Sequence, residues 1–485
     1  MSTPPPTAHH DAPIIVSDAD RDVLAAIRIV VGPKGWLDAA GDIAPYLHDQ
    51  RGLYVGRTLA VVRPASTEEV AAVVSLCAAA KLPVVPQGGN TGLVVGSVPD
   101  GSGRSIVLSL ARMNHIRAID PINNTMTVDA GCVLASLQQA ASEAGRLFPL
   151  SLGAEGSCMI GGNLSTNAGG VQVLRYGNAR NLVLGLEVVL PDGRVWDGLR
   201  GLRKDNAGYD LKQLFMGAEG TLGVITGAVL RLFPQPRSVV TLFAAVPKLA
   251  HVMELLGEAQ AATGEAVRGF ELIPEIGLDF VTRHIEGTIR PLKTASPWYV
   301  LMEFAGGDER LRGSVEAFLE GAFEAGRIAD ATIAESETQA KQIWRIRETL
   351  PEAQTREGAS IKHDVAVPIS RIVDLIEQGT RRLEAWLPGA RPFPFGHVGD
   401  GNIHFNVSQP PGMDKAAFIA RWDEANKIIH DLTAELHGSF SAEHGIGRLK
   451  RAELTQYRSA VEIDLMRRVK AALDPDGLMN PGIIL

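Results

Sequence analysis

Apolar positions along the first third of the chain alternate between helical and strand spacing. Over residues 18–31, Val23, Leu24, Ile27 and Val31 share one stripe, which predicts an amphipathic helix. A short apolar strand is expected at 59–62, just before Pro64. Ser66-Thr67-Glu68-Glu69 reads as a capping box, with a hydroxyl to accept first-turn N–H groups and a carboxylate three residues on. The helix that it opens carries Val70, Val73, Val74 and Cys77. Residues 82–85 form the next strand, so a β-α-β stretch runs directly into a glycine cluster. Further strands are expected at 105–110 and 125–128, and a helix at 133–143 closed by Gly145. Between 153 and 170 no period is visible. Residues 182–190 and 194–196, joined by Pro191-Asp192-Gly193, predict a hairpin, and 224–232 a strand ended by Pro234 and Pro236.

Beyond that point long amphipathic helices (247–262, 309–326, 335–355, 370–386, 414–436) alternate with strands (239–246, 267–272, 298–303, 361–367, 402–407). This texture predicts an α+β domain, a sheet backed by helices. A last helix is expected at 460–473. The expected division is a disordered tail at 1–16, a first domain at 17–236, a second at 237–425, and a helical segment at 426–485 that packs back on the first.

Composition narrows the function classes. Lys+Arg 47 against Asp+Glu 55 gives a net charge of −8, which argues against a dedicated nucleic-acid binder. Three scattered cysteines suit neither a disulfide framework nor a cysteine zinc site, so a reducing, cytoplasmic setting is the simplest expectation. No apolar run approaches the ~18 residues of a membrane span, and the Pro-rich start lacks the apolar core of a signal peptide.

Glycine is the informative excess. Of 51 glycines, 23 fall between Pro86 and Ile225, in three clusters interleaved with polar residues. The first is Pro86-Gln87-Gly88-Gly89-Asn90-Thr91-Gly92. The second runs through Gly161, Gly162, Asn163, Ser165, Asn167, Gly169 and Gly170. The third holds Glu219, Gly220 and Gly223. Consecutive glycines let N–H groups converge on an anion and let phosphate oxygens approach. Any one cluster reads first as a turn between strands; three together favour a large nucleotide. None is a P-loop, and none sits as a Rossmann fingerprint does.

The set PQGGNTG, GAEGSCMIGGNLSTNAGG and MGAEGTLGVIT resembles the FAD-binding domain of the vanillyl-alcohol oxidase/p-cresol methylhydroxylase flavoproteins. That resemblance implies a two-subdomain FAD-binding fold. It implies FAD contacts from the three clusters, extended to Gly153, Gly156, Ile225 and Asn480. Some members attach flavin through a histidine in the first loop; Asn90 stands in that neighbourhood here, which implies noncovalent FAD.

The second half carries Gly396-His397-Val398-Gly399-Asp400-Gly401-Asn402-Ile403-His404-Phe405-Asn406 and Ser441-Ala442-Glu443-His444-Gly445-Ile446-Gly447. His404 and Asn406 share a strand face, and two His with a Glu are a familiar set for a divalent metal. Satisfied structural histidines remain the alternative reading. GHVGDGNIHFNV and SAEHGIG resemble the FAD-linked D-2-hydroxyacid dehydrogenases, the D-2-hydroxyglutarate and D-lactate group. The resemblance implies that His397, His404 and Glu443 bind a zinc-type ion, that His444 is the base, and that Asn406 touches the substrate carboxylate. A metal lowers the pKa of a bound hydroxyl, and histidine titrates near neutrality. The C2 hydrogen would leave as hydride to the flavin.

Arg347 and Lys362 match the residues that hold the distal carboxylate in D-2-hydroxyglutarate dehydrogenases, where a Thr stands in place of Pro351. D-2-hydroxyglutarate is the favoured substrate, with D-lactate or D-malate as alternatives; a non-catalytic electron-carrier subunit is the reading from another class. The expected electron acceptor is an electron-transfer flavoprotein or a quinone. A homodimer is the default expectation for assembly.

Overall fold

The computed structural model describes residues 16–485, so the expected tail lies, but for Val16, outside the described residues. The chain divides into two compact units. Of the described residues, the first comprises 16–169, 178–234 and 443–485; the second comprises 170–177 and 235–442. The sequence suggested crossings at 236/237 and 425/426. Instead the short piece 170–177 belongs to the second unit, and the chain returns to the first only at Glu443.

In the first unit, three short strands pair in parallel, Ala60–Val62 with Ile106–Ser109 and that with Val84–Gln87. Parallel pairing requires a crossover, which the helix Thr67–Ala80 supplies. Ser66 caps that helix by accepting the Glu69 N–H. The Glu69 carboxylate takes the N–H of Ala65, where a reciprocal box would take that of Ser66. A second sheet is antiparallel throughout, in the order Ile116–Asp120, Thr125–Asp129, Val224–Arg231, Val183–Val189, Val195–Gly198. The strand Ile116–Asp120 escaped the sequence because its burial does not alternate cleanly and two of its five residues, Arg117 and Asp120, are charged. The carboxyl-terminal residues hold the first sheet: Val84 donates to the Leu478 carbonyl and Asn480 to that of Val84. A short helix, Ile160–Ser165, occupies the stretch in which no element was expected. Glycines at two of its six positions hide its period.

In the second unit a four-stranded antiparallel sheet runs Val267–Pro274, Trp298–Gly306, Ser238–Val246, Asp330–Ile333. Both faces are apolar. Leu242, Ala244 and Val246 pack under the helices Leu249–Thr263 and Leu311–Glu324, while Phe243 and Ala245 face Glu275–His284 and Glu337–Arg356. A strand covered on both faces reads as a continuous apolar run, as 239–246 does. A smaller sheet gathers Ser360–Ile361, Asp364–Ala366 and Arg391–Phe395 on Asn402–Ser408. The expected strand 361–367 is broken at Lys362-His363, and the expected helix 414–436 is two helices, Lys415–Ile419 and Trp422–Glu435. Arg391–Phe395 contains two prolines, which masked it.

Candidate active site

The three glycine clusters meet in one cavity of the first unit. Pro86, Gly88, Gly89, Asn90, Thr91 and Gly92 line it from the first cluster. Gly161, Gly162, Asn163 and Ser165 come from the second, and Glu219, Gly220, Gly223 and Ile225 from the third. The N–H groups of residues 88–92 donate to no acceptor among the described residues. Five successive donors in one half-buried loop, with Asn90 in the left-handed region at φ 54°, suit a diphosphate.

The glycines serve two purposes. A Cβ on Gly89 would lie 2.1 Å from the Ser157 carbonyl oxygen, and one on Gly161 2.8 Å from Ala130 Cβ, so those two permit close backbone packing. A Cβ on Gly162 would meet no protein atom within 4 Å. Its missing side chain is space for a ligand. The shape and donor set therefore fit a dinucleotide.

The remaining expected contacts lie outside the cavity lining. Gly153 and Gly156 are in the loop before it. Asn167 accepts the Arg180 N–H through its side chain, and Gly169 stands against Glu443. Gly170 belongs to the second unit. Asn480 is buried and donates to the carbonyls of Gly96 and Glu219, so it braces two of the loops. Gln87 was missed: its buried amide donates to the carbonyls of Tyr46 and Ser97, closing the first loop.

His444 lines the same cavity. Its loop is held by Glu219, whose carboxylate accepts the N–H groups of Ile446 and Gly447, both at 2.7 Å. Burial lifts the Glu219 carboxyl to about 7, against the pull of those donors and of Lys450. A Cβ on Gly447 would lie 2.1 Å from the Val94 carbonyl oxygen, which is why SAEHGIG needs glycine there.

The second unit gathers a different set. His397 is buried, and its Nδ1 lies 2.6 Å from Glu271 Oε1. The other oxygen of Glu271 accepts from Arg347 Nε, also at 2.6 Å. Arg347 Nη2 is 3.5 Å from His397 Nε2, and the guanidinium stacks over Phe395 at 5.0 Å. Burial would raise the Glu271 carboxyl, but the His397 ring and the Arg347 guanidinium beside it outweigh burial and hold the group at about 2. Glu271 reaches His397 because Leu272 and Gly396 exchange N–H···O bonds at 2.9 and 3.1 Å, stitching the two sheets of this unit together. Gly396 makes that possible at φ 130°.

His404 lies beside His397, ring centroids 5.4 Å apart, with Asp364 Oδ1 3.8 Å from its Nδ1. Asn406 follows on the same face, where its amide donates to the fully buried Gln354. Lys362 is half-buried in the break between Ser360–Ile361 and Asp364–Ala366. Pro351 sits within the helix Glu337–Arg356, four residues after Arg347, and has no N–H to offer that carbonyl. The sequence marked Arg347 as a carboxylate-holding residue; it is buried and already paired with Glu271. Glu271 was invisible there because FELIP looks like any core strand.

A cavity built for a dinucleotide beside a histidine, and a histidine–arginine–carboxylate cluster in the partner unit, together describe a flavin-dependent oxidoreductase. Residues 58–198 match the FAD binding domain family, and 235–484 match the FAD linked oxidases, C-terminal domain. The chain is 40% identical over 467 residues to the mitochondrial D-2-hydroxyglutarate dehydrogenase of Bos taurus, covering 96% of this chain and 84% of that one. It is 39% identical over 441 residues to the D-2-hydroxyglutarate dehydrogenase of Xanthomonas citri pv. viticola, covering 91% and 92%. The fold is shared with substrate-bound p-cresol methylhydroxylase, at TM-score 0.75, 16% identity and 97% and 98% coverage. The chain belongs to the FAD-linked D-2-hydroxyacid dehydrogenases and is an FAD-dependent dehydrogenase of the p-cresol methylhydroxylase fold. Among the described residues no helix is long and apolar enough to cross a membrane.

Proposed function

We propose that the protein oxidises D-2-hydroxyglutarate to 2-oxoglutarate with noncovalent FAD and the help of a divalent cation, zinc by the chemistry of its donors. The observation that carries the substrate is the Arg347 guanidinium 3.5 Å from the His397 ring. It offers a carboxylate receptor beside an imidazole that can bind a metal. Two relatives named for D-2-hydroxyglutarate support the same choice.

His397, His404 and Glu443 would hold the cation. Support comes from the chain itself: Ala442 donates to the carbonyl of Asp364, which pairs with His404 in the ladder, and Glu443 is the next residue. Such an ion would make the substrate hydroxyl more acidic. FAD, when bound, supplies the acceptor for the C2 hydride. His444 takes the hydroxyl proton, and Arg347, Lys362 and Asn406 orient the carboxylates. Electrons then pass to an electron-transfer flavoprotein or a quinone.

The test is anaerobic bleaching of the flavin absorbance by a panel of D- and L-2-hydroxy acids, with and without chelator. D-2-hydroxyglutarate should bleach fastest and chelator should slow it. Faster bleaching by D-lactate or D-malate overturns the substrate, and indifference to chelator removes the metal. Arg347→Lys is the informative variant for the carboxylate receptor. Truncation to Ala would leave Glu271 buried and unpaired, at about 3–5 kcal/mol of stability.

A further inference from the structure

Glu271 stands outside every role assigned so far, yet it is 1% exposed and both of its oxygens are engaged by groups of the site. A carboxylate only accepts, so the 2.6 Å contact places a hydrogen on His397 Nδ1 and leaves Nε2 as the ring's ligand atom. Arg347 donates to the same carboxylate through Nε, which directs its terminal nitrogens elsewhere. The two elements that deliver these partners are unrelated in sequence. Arg347 comes from the helix Glu337–Arg356 on one face of the sheet, and His397 from the end of Arg391–Phe395. Both engage Glu271.

We propose that Glu271 is a positioning residue that sets the metal-binding histidine and the substrate-binding arginine at once, so that metal affinity and carboxylate recognition are coupled through one buried side chain. This rests on the reading of His397 and Arg347 given above. His404 has a weaker counterpart: Asp364 stands 3.8 Å from its Nδ1 and is itself held by the Asn402 amide. The difference in distance predicts that His397 depends on its carboxylate more than His404 does. Partners of this kind typically tune metal affinity or activity by about 10–100-fold.

The experiment uses flavin-replete, metal-stripped full-length protein titrated with Co²⁺ and read by its visible absorption, alongside kcat and KM for D-2-hydroxyglutarate. Glu271→Gln should weaken Co²⁺ binding by about 10–100-fold and raise KM, with flavin content close to wild type; it leaves Arg347 buried without its carboxylate, so Tm should fall. Should Glu271→Gln lose its fold, it is made on an Arg347→Met background, so that the double variant removes both charges together. In that background Glu271→Gln should still weaken Co²⁺ binding, through His397, but should no longer change KM. Unchanged Co²⁺ affinity in both backgrounds overturns the role, as does a KM effect that persists without Arg347. Wild-type protein that binds no Co²⁺ and is not bleached by D-2-hydroxyglutarate overturns the functional reading, and this role with it. Normal wild-type behaviour with indifferent variants overturns the role of Glu271 alone.

Discussion

In the first unit the loop 88–92 presents backbone N–H groups and glycines without side chains. In the second unit charged side chains hold one another, Glu271 between Arg347 and His397. The two strategies fail differently. A backbone cradle is lost when an atom is added, and a charge network is lost when one is removed. The first depends on neighbours close in sequence, while the second joins residues 76 and 126 positions apart.

The largest expected effect lies at the histidine that lines the cradle. His444→Ala should cut turnover by about 10²–10⁴-fold, the usual range for a general base, while flavin content stays at wild-type level. Retained turnover would remove His444 from the chemistry and leave the cradle as a binding device only.

Next comes a pair of glycine variants. Gly162→Ala adds a methyl group into open space, so the apo-protein should keep its Tm while flavin affinity drops at least about tenfold, a loss near 1.4 kcal/mol. Gly89→Ala meets the Ser157 carbonyl oxygen and should cost stability as well, about 1–3 kcal/mol for overpacking. Equal flavin retention in Gly162→Ala and wild type, read by absorbance after gel filtration, would break the distinction between the two kinds of glycine.

The last contrast is the pH dependence of the two units, which should have opposite signs. Glu219 in the first unit is lifted to about 7, chiefly by burial. The folded apo-protein therefore keeps a proton that the unfolded chain has released. Its contribution is full below the ordinary carboxylate value and is lost as pH rises through 7. Glu357 in the second unit is held at about 2; burial opposes the shift, and hydrogen bonds from His284, Arg391 and Arg283 overcome it. Its contribution is present above the ordinary value and fades as pH falls towards 2. Urea unfolding of Glu357→Gln at pH 7 should show a loss of about 2 kcal/mol that shrinks on acidification. A loss that grows with acid would contradict the assignment.

Most of the secondary structure was legible because local spacing encodes it. The helix Ala460–Leu473 and the hairpin Val183–Val189 to Val195–Gly198 are both written as period and turn. Irregular edges were not: Arg391–Phe395 hides behind two prolines, and Ile160–Ser165 behind two glycines. The glycine clusters announced a nucleotide site because a backbone nest needs consecutive small residues, a constraint confined to a few positions. Gln87 escaped notice, since an amide bracing a loop leaves no pattern.

By itself the sequence determined the kind of cofactor and the family of chemistry, through runs such as PQGGNTG and SAEHGIG whose backbone demands are local. Only the tertiary structure decided that Arg347 is buried and paired, and that His397 takes its orientation from Glu271. The reason is physical. A buried charge is tolerable only with a partner. That partner arrives through the exchange of hydrogen bonds between Leu272 and Gly396, a contact between strands that no spacing along the chain records.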